Sequence, residues 1–188
     1  MPAGNFSFPS LFRTWIPAAN RTYDCTIVEA ARATTADPTF FKGTEFGEPI
    51  RLTYLDGGLR CNNPVKYVID EARSHFPDRL ISCVISLGTG AANVIGLEGP
   101  GGFLPRKFIR ILKAIAADCE ICSEETARSS VAQSFSYFRL NVDQGLQTVS
   151  LAEWKKLEAV NLHTLQYLRK HDVGEKVDRL VQVLKGVP

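Results

Sequence analysis

A short apolar strand that runs into an acid, two glycines and an Asn-Asn-Pro turn constrains this chain more than any other stretch. Ile50 to Leu55 is filled by β-branched and aromatic residues, and Asp56-Gly57-Gly58-Leu59-Arg60-Cys61-Asn62-Asn63-Pro64 follows at once. Gly57 and Gly58 permit a sharp turn and close approach to another group. Asn63 can cap a helix that begins at Pro64. That helix runs to about His75 and places Val65, Val68, Ile69 and Ala72 on one face. A second strand, Leu80 to Leu87, is almost continuously apolar, as in a strand buried on both faces, and ends in Gly88-Thr89-Gly90. Strand, helix and strand in this order predict a right-handed parallel crossover, the unit of an α/β sheet. Asp56 is thereby held on a strand-to-turn edge, where a carboxylate can serve as a base.

The remainder of the chain fits the same class. Residues 1 to 24 carry Phe6, Phe8, Phe12, Trp15 and Tyr23 without a clear period, which predicts extended structure lying against a core that is partly elsewhere. Thr26-Ile27-Val28-Glu29 has capping-box spacing and opens a short helix that Asp37-Pro38 ends. Gly96 to Gly102 reads as a loop, Pro105 to Cys122 and Glu124 to Phe135 as two helices, and Tyr137 to Val142 as a strand. Leu151 to Leu184 predicts two amphipathic helices, with Trp154, Leu157, Leu162, Leu165 and Leu168 on the first and Val177, Leu180, Val181 and Leu184 on the second.

Composition narrows the classes of partner. Of 188 residues, 22 are basic and 20 acidic, a formal charge of +2 with both signs dispersed, so neither a nucleic-acid stripe nor a polybasic membrane tail is present. No apolar run is long enough to span a bilayer, and Met1-Pro2-Ala3-Gly4-Asn5 lacks the regions of a signal peptide, which predicts an intracellular chain. Five irregularly spaced cysteines, Cys25, Cys61, Cys83, Cys119 and Cys122, argue against a disulfide framework. Cys119-Glu120-Ile121-Cys122 lies in a helical pattern with no second ligand pair nearby, so buried thiols are expected there and no metal or cofactor. His75, His163 and His171 also fall in helical patterns and are read as structural or solvated.

Several separated motifs in order carry more weight than any one of them. Ala31-Arg32-Ala33-Thr34-Thr35-Ala36-Asp37-Pro38-Thr39-Phe40-Phe41 precedes Asp56-Gly57-Gly58, and Asn62-Asn63-Pro64 and Ser86-Leu87-Gly88-Thr89-Gly90 follow it. From about Leu11 to Leu140 the chain resembles the patatin-like phospholipases, whose members carry an Ala-Thr-Ser-Ala-Ala-Pro-Thr-Tyr-Phe-like stretch, then Asp-Gly-Gly or Asp-Gly-Ala with Asn-Asn-Pro, then Ser-Leu-Gly-Thr-Gly. The resemblance implies an α/β fold, a partial three-layer sandwich with a mostly parallel sheet. Residues 1–145 would form the C-terminal portion of the domain and residues 146–188 a helical extension. It further implies a lipid acyl hydrolase with a serine-aspartate dyad and no metal or other cofactor. Asp56 is the counterpart of the family's base, and Gly57 and Gly58 complete its motif. The implied partner is a lipid or phospholipid acyl ester, met in the cytoplasm or at a membrane surface, with further contacts to other domains of a longer parent protein.

One departure shapes the expectation. The nucleophile elbow needs Gly-x-Ser-x-Gly, and no serine in the chain has glycines at both positions. Ser86 comes nearest, but Val84 stands in the first glycine position and the serine is still within its strand. Gly99-Pro100-Gly101-Gly102 follows the acid motif and contains a proline without an N–H, so it reads as a surface loop and not an oxyanion loop. Gly88-Thr89-Gly90 lacks the third glycine of a dinucleotide fingerprint, since Asn93 occupies its place. We therefore expect the C-terminal part of a hydrolase domain, a fragment or truncated product that is inactive by itself. The alternative is a noncatalytic lipid-binding or protein-interaction module that keeps the fold.

Overall fold

In a computed structural model the described residues are 1–3, 9–15, 24–37, 40–90, 106–147, 149 and 153–186. They divide into two units, Met1–Asn62 and Asn63–Pro188. The first unit opens with helix α1, Ile27–Thr34. Its predicted capping box is present: the Glu29 amide donates to Thr26 Oγ1 at 3.2 Å and the Thr26 amide donates to Glu29 Oε2 at 2.8 Å. These bonds hold the Glu29 carboxyl below the usual carboxylate range. The helix stops before Asp37, because the hydroxyls of Thr34 and Thr35 both donate back to the Ala31 carbonyl, at 3.0 and 2.9 Å.

Strand β1, Thr44–Phe46, pairs antiparallel with β2, Leu52–Tyr54, in the register Thr44↔Tyr54 and Phe46↔Leu52. This corrects the expected strand, which is shorter than Ile50–Leu55 and belongs to a hairpin. Gly47, at φ +115°, lets the chain reverse between the two strands. Met1 and Ala3 extend along the other edge of β2, where the Ala3 amide donates to the Thr53 carbonyl and the Leu55 amide to the Met1 carbonyl, both at 2.7 Å. The core of this unit gathers on Tyr54, which is 0% exposed. Its ring stacks on Phe46 with centroids 4.4 Å apart and meets Phe12 edge-on at 5.3 Å. One of the aperiodic N-terminal aromatics thus finds its core within its own unit. Phe6, Phe8 and Tyr23 lie outside the described residues.

In the second unit, helix α3, Val65–His75, buries Val65 and Ile69 and leaves Val68 exposed. Strand β3, Cys83–Leu87, pairs in parallel with β4, Ser136–Leu140, in the register Cys83↔Ser136 through Leu87↔Leu140. The parallel connection therefore runs from β3 to β4, not from β2 to β3 as the strand order suggested. Nor is β3 buried on both faces, since Ile85 and Leu87 are exposed, Leu87 by 72%. Among the described residues the link between β3 and β4 contains one helix, α4, Arg106–Ala132, where two were expected. No glycine or proline interrupts its 27 residues. Within it the Thr126 hydroxyl donates to the Cys122 carbonyl at 2.7 Å and the Ser130 hydroxyl to the Ala127 carbonyl at 2.8 Å, so side chains that often break helices are satisfied locally.

Val65 and Ile69 of α3 close a core with Phe135, flanked by Val84, Cys122 and Tyr137. A separate core joins Val142, Tyr167 and Val173, so helices α5, Leu157–Leu168, and α6, His171–Leu184, pack against the strand end. The predicted leucine stripe of α5 faces outward instead: Leu157, Leu162, Leu165 and Leu168 are exposed and Tyr167 is buried. Tyr167 is favoured inside because its hydroxyl accepts from the Asn141 amide at 3.2 Å, which satisfies its polar end. Val173 is 2% exposed at the centre of this core. Val173→Ala should cost about 2 kcal/mol, from lost burial plus the cavity left behind, read as a lower midpoint in chemical denaturation. The described residues thus make a mixed α/β structure with one small antiparallel and one small parallel sheet.

Candidate active site

Asp56 stands two residues beyond β2, half-buried, with its amide donating to the Ala36 carbonyl at 3.0 Å. Its Oδ1 accepts from the Gly58 amide at 2.9 Å, an Asx-type turn that opens the one-turn helix α2, Gly58–Cys61. Oδ2 has no hydrogen-bond partner among the described residues. The Gly58 amide holds one oxygen, and the Met1 ammonium lies close enough for the Asp56 charge to act on it.

The two glycines act differently from the expectation. Gly57 is helical at φ −64°, and a Cβ there would meet nothing within 4 Å, so neither backbone conformation nor internal crowding demands it. A Cβ on Gly58 would lie 3.5 and 3.6 Å from the two carboxylate oxygens. These are ordinary contact distances, so a side chain at 58 would touch the carboxylate without crowding it.

Asn63 is also corrected. The cap position of α3 is held by Pro64, with no side-chain cap bond. Asn63 is buried and turned to other partners: its Oδ1 accepts from Ser86 Oγ at 3.1 Å, its Nδ2 donates to the Cys119 carbonyl at 3.4 Å, and its own carbonyl accepts from Cys122 Sγ at 3.4 Å. Ser86 in turn accepts from Arg139 Nη1 at 2.9 Å. This buried hydroxyl has both directions occupied and links Asn63 to Arg139.

The Ser-Leu-Gly-Thr-Gly stretch is stapled to β4. The Gly88 amide donates to the Leu140 carbonyl at 2.8 Å and the Gly90 amide to Asn141 Oδ1 at 2.9 Å, with Gly90 at φ +110°. A Cβ on Gly88 would collide with the Asn141 side chain and lie 2.7 Å from Arg139 Nη2. Gly88→Ala should therefore cost about 1–3 kcal/mol through overpacking, measured as loss of thermal stability. The Gly90 amide is committed to Asn141, which suits a packed turn better than a phosphate cradle. Gly99-Pro100-Gly101-Gly102 lies outside the described residues.

Cys119 is buried on α4 and Cys122 half-buried one turn on. His75 and His171 are exposed and His163 half-buried, on three different helices. Among the described residues no group of His, Cys, Asp and Glu gathers as a metal ligand set, and no helix is long and apolar enough to cross a membrane. Sequence reading passed over Arg139 and Asn141. Their signal was present: Arg139 on β4 and Asn141 just beyond it are polar residues two apart, which marks one face that needs partners.

No family model matches the chain. It is 28% identical over 159 residues to calcium-independent phospholipase A2-gamma of Rattus norvegicus, covering 83% of this chain and 19% of that protein. It is 30% identical over 139 residues to Phospholipase A I of Arabidopsis thaliana, covering 70% of this chain and 10% of that protein. Against the 85/88 kDa calcium-independent phospholipase A2 of Rattus norvegicus it is 26% identical over 189 residues, covering 86% and 22%. The chain is related to the patatin-like phospholipases. It spans about a fifth or less of the length of the curated relatives it matches.

Proposed function

We propose that this chain carries the general-base half of a lipid acyl hydrolase, with Asp56 as the proton acceptor of a serine-aspartate dyad. The observation that supports it best is the Asp56 carboxylate, oriented through the Gly58 amide, with no hydrogen bond to Oδ2 among the described residues. In this reading Oδ2 takes the proton of a serine hydroxyl as the serine attacks an ester carbonyl. The departing alcohol recovers that proton from Asp56, leaving an acyl-enzyme. Water, deprotonated by the same carboxylate, then releases the fatty acid. No metal or cofactor is called for. The nucleophile is a Gly-x-Ser-x-Gly serine contributed from outside these 188 residues, since none of them offers it. Residues 1–145 form the C-terminal portion of the hydrolase domain, in a larger, mostly parallel sheet, and residues 146–188 its helical extension.

The substrate class is a lipid or phospholipid acyl ester, reached from the cytoplasm or at a membrane surface, in keeping with the relatives named as phospholipases. A second reading, a lipid-binding or protein-interaction module without chemistry, is favoured by one observation: Ser86, the serine that comes nearest to the elbow pattern, is buried and bonded on both sides. Joining the chain to a Gly-x-Ser-x-Gly-bearing half of the domain and assaying a chromogenic acyl ester separates the two. Turnover is expected; a folded but silent protein defeats the hydrolase reading.

A further inference from the structure

We propose that Arg139 is an oxyanion-binding residue, whose guanidinium at the carboxyl end of the paired strands β3 and β4 takes a carboxylate or phosphate group. The site lies wholly within the second unit and stands whether or not Asp56 is a base. Ser86 and Arg139 are opposite in register, so their side chains share one face of the sheet. Earlier on that face come Val84 and Tyr137, which flank the core of Val65, Ile69 and Phe135. Later come Gly88 and Asn141. The face therefore turns from apolar to polar toward the strand ends, and it is outside the carboxyl ends of their strands that open α/β sheets take their ligands.

Arg139 is half-buried, and a guanidinium has a whole fork of N–H groups to satisfy. Nη1 donates to Ser86 Oγ at 2.9 Å. Nε is buried without a hydrogen-bond partner, and no acid pairs with the guanidinium among the described residues. A permanent charge with an orphaned buried N–H is unfavourable, and an oxyanion on the edge shared by Nε and Nη2 would relieve it with two parallel bonds. That edge is held in one orientation. Ser86 gives its hydroxyl proton to Asn63 Oδ1 at 3.1 Å, so its oxygen is turned to receive Nη1. Asn63 is fixed in turn by its Nδ2, which donates to the Cys119 carbonyl at 3.4 Å. Gly88 lets Nη2 lie against the main chain, where a Cβ would stand 2.7 Å from it. The nearest acid along the strand, Asp143, is taken by Lys170 at 2.6 Å, and no acid stands in the first turn of α3, whose positive end begins just after Asn63.

NMR titration of the folded chain with sodium phosphate, acetate and octanoate, each against sodium chloride at equal ionic strength, tests this without any turnover. The Arg139 Nε–H signal and the Ser86 and Gly88 amides should shift saturably with the three oxyanions and not with chloride. Arg139→Lys keeps the charge but loses the fork and should weaken binding about tenfold, and Arg139→Gln should abolish it. Octanoate binding about tenfold or more tighter than acetate would mark the anion as the head of a lipid, and equal affinity would mark it as a free oxyanion; either leaves the site standing. The parent titration decides even where a variant does not fold. Shifts no larger at Arg139 than at Arg73, or shifts that chloride reproduces, would overturn the proposal, as would a folded Arg139→Lys chain that binds as tightly as the parent.

Discussion

Asp56→Asn, in a chain joined to the Gly-x-Ser-x-Gly serine, is expected to lower kcat by about a thousandfold while KM changes little. Asparagine matches the shape of aspartate and its carbonyl can still accept from the Gly58 amide, so α2 keeps its first bond. What the amide cannot do is take a proton. The loss should therefore fall on the chemical step and not on substrate binding or folding. Circular dichroism and the melting midpoint should stay close to those of the parent. Asp56→Ala would remove the Gly58 contact as well, and so would confuse loss of base with loss of the turn. If Asp56→Asn retained more than about a tenth of the parent kcat, the carboxylate would be no base.

Tyr54→Ala is the largest stability effect expected, about 4 kcal/mol on the first unit. Tyr54 is 0% exposed and its ring touches both Phe46 and Phe12, so truncation leaves a cavity walled by two aromatic rings. A loss of this size is comparable to the whole stability of a small unit. Because Asp56 follows Tyr54 by two residues, the turn at Asp56 should loosen with it. Urea denaturation followed through amide signals of residues 24–62 reads the effect, and a loss below about 1 kcal/mol would show that the aromatic cluster is not the core of this unit.

How much was legible from sequence depended on whether the signal was local. The Thr26–Glu29 capping box needs only four adjacent residues, and it formed as read. Helix α3 and the two C-terminal helices were placed within a few residues by their apolar period. Strand partners were not local. Leu52–Tyr54 and Cys83–Leu87 flank a helix in the order of a parallel crossover, yet each pairs with another strand, β1 in one case and β4 in the other. β1 is only 3 residues long and ends at a glycine turn, too short to show a period.

The site divides in the same way. Asp56 stands out because its neighbours in sequence form a motif, and the relationship to patatin-like phospholipases came from such motifs in series. Asn63 was found for the wrong reason. Its position before a proline suggested a cap, whereas its partners, Ser86, Cys119 and Cys122, are supplied by elements distant in sequence. Periodicity put Leu157 and Leu165 of α5 inside, but the tyrosine at 167 was chosen because its hydroxyl meets a main-chain amide. Hydrophobicity alone could not rank those alternatives.

If Asp56 is a base, its serine is not among these 188 residues. The most direct test is the hydrolysis of a chromogenic acyl ester by the purified, folded chain of residues 1–188 alone. No turnover above the uncatalysed rate is expected, with or without Asp56. Turnover that disappears in Asp56→Asn would contradict the account, because it would mean that a serine within the chain already completes the dyad.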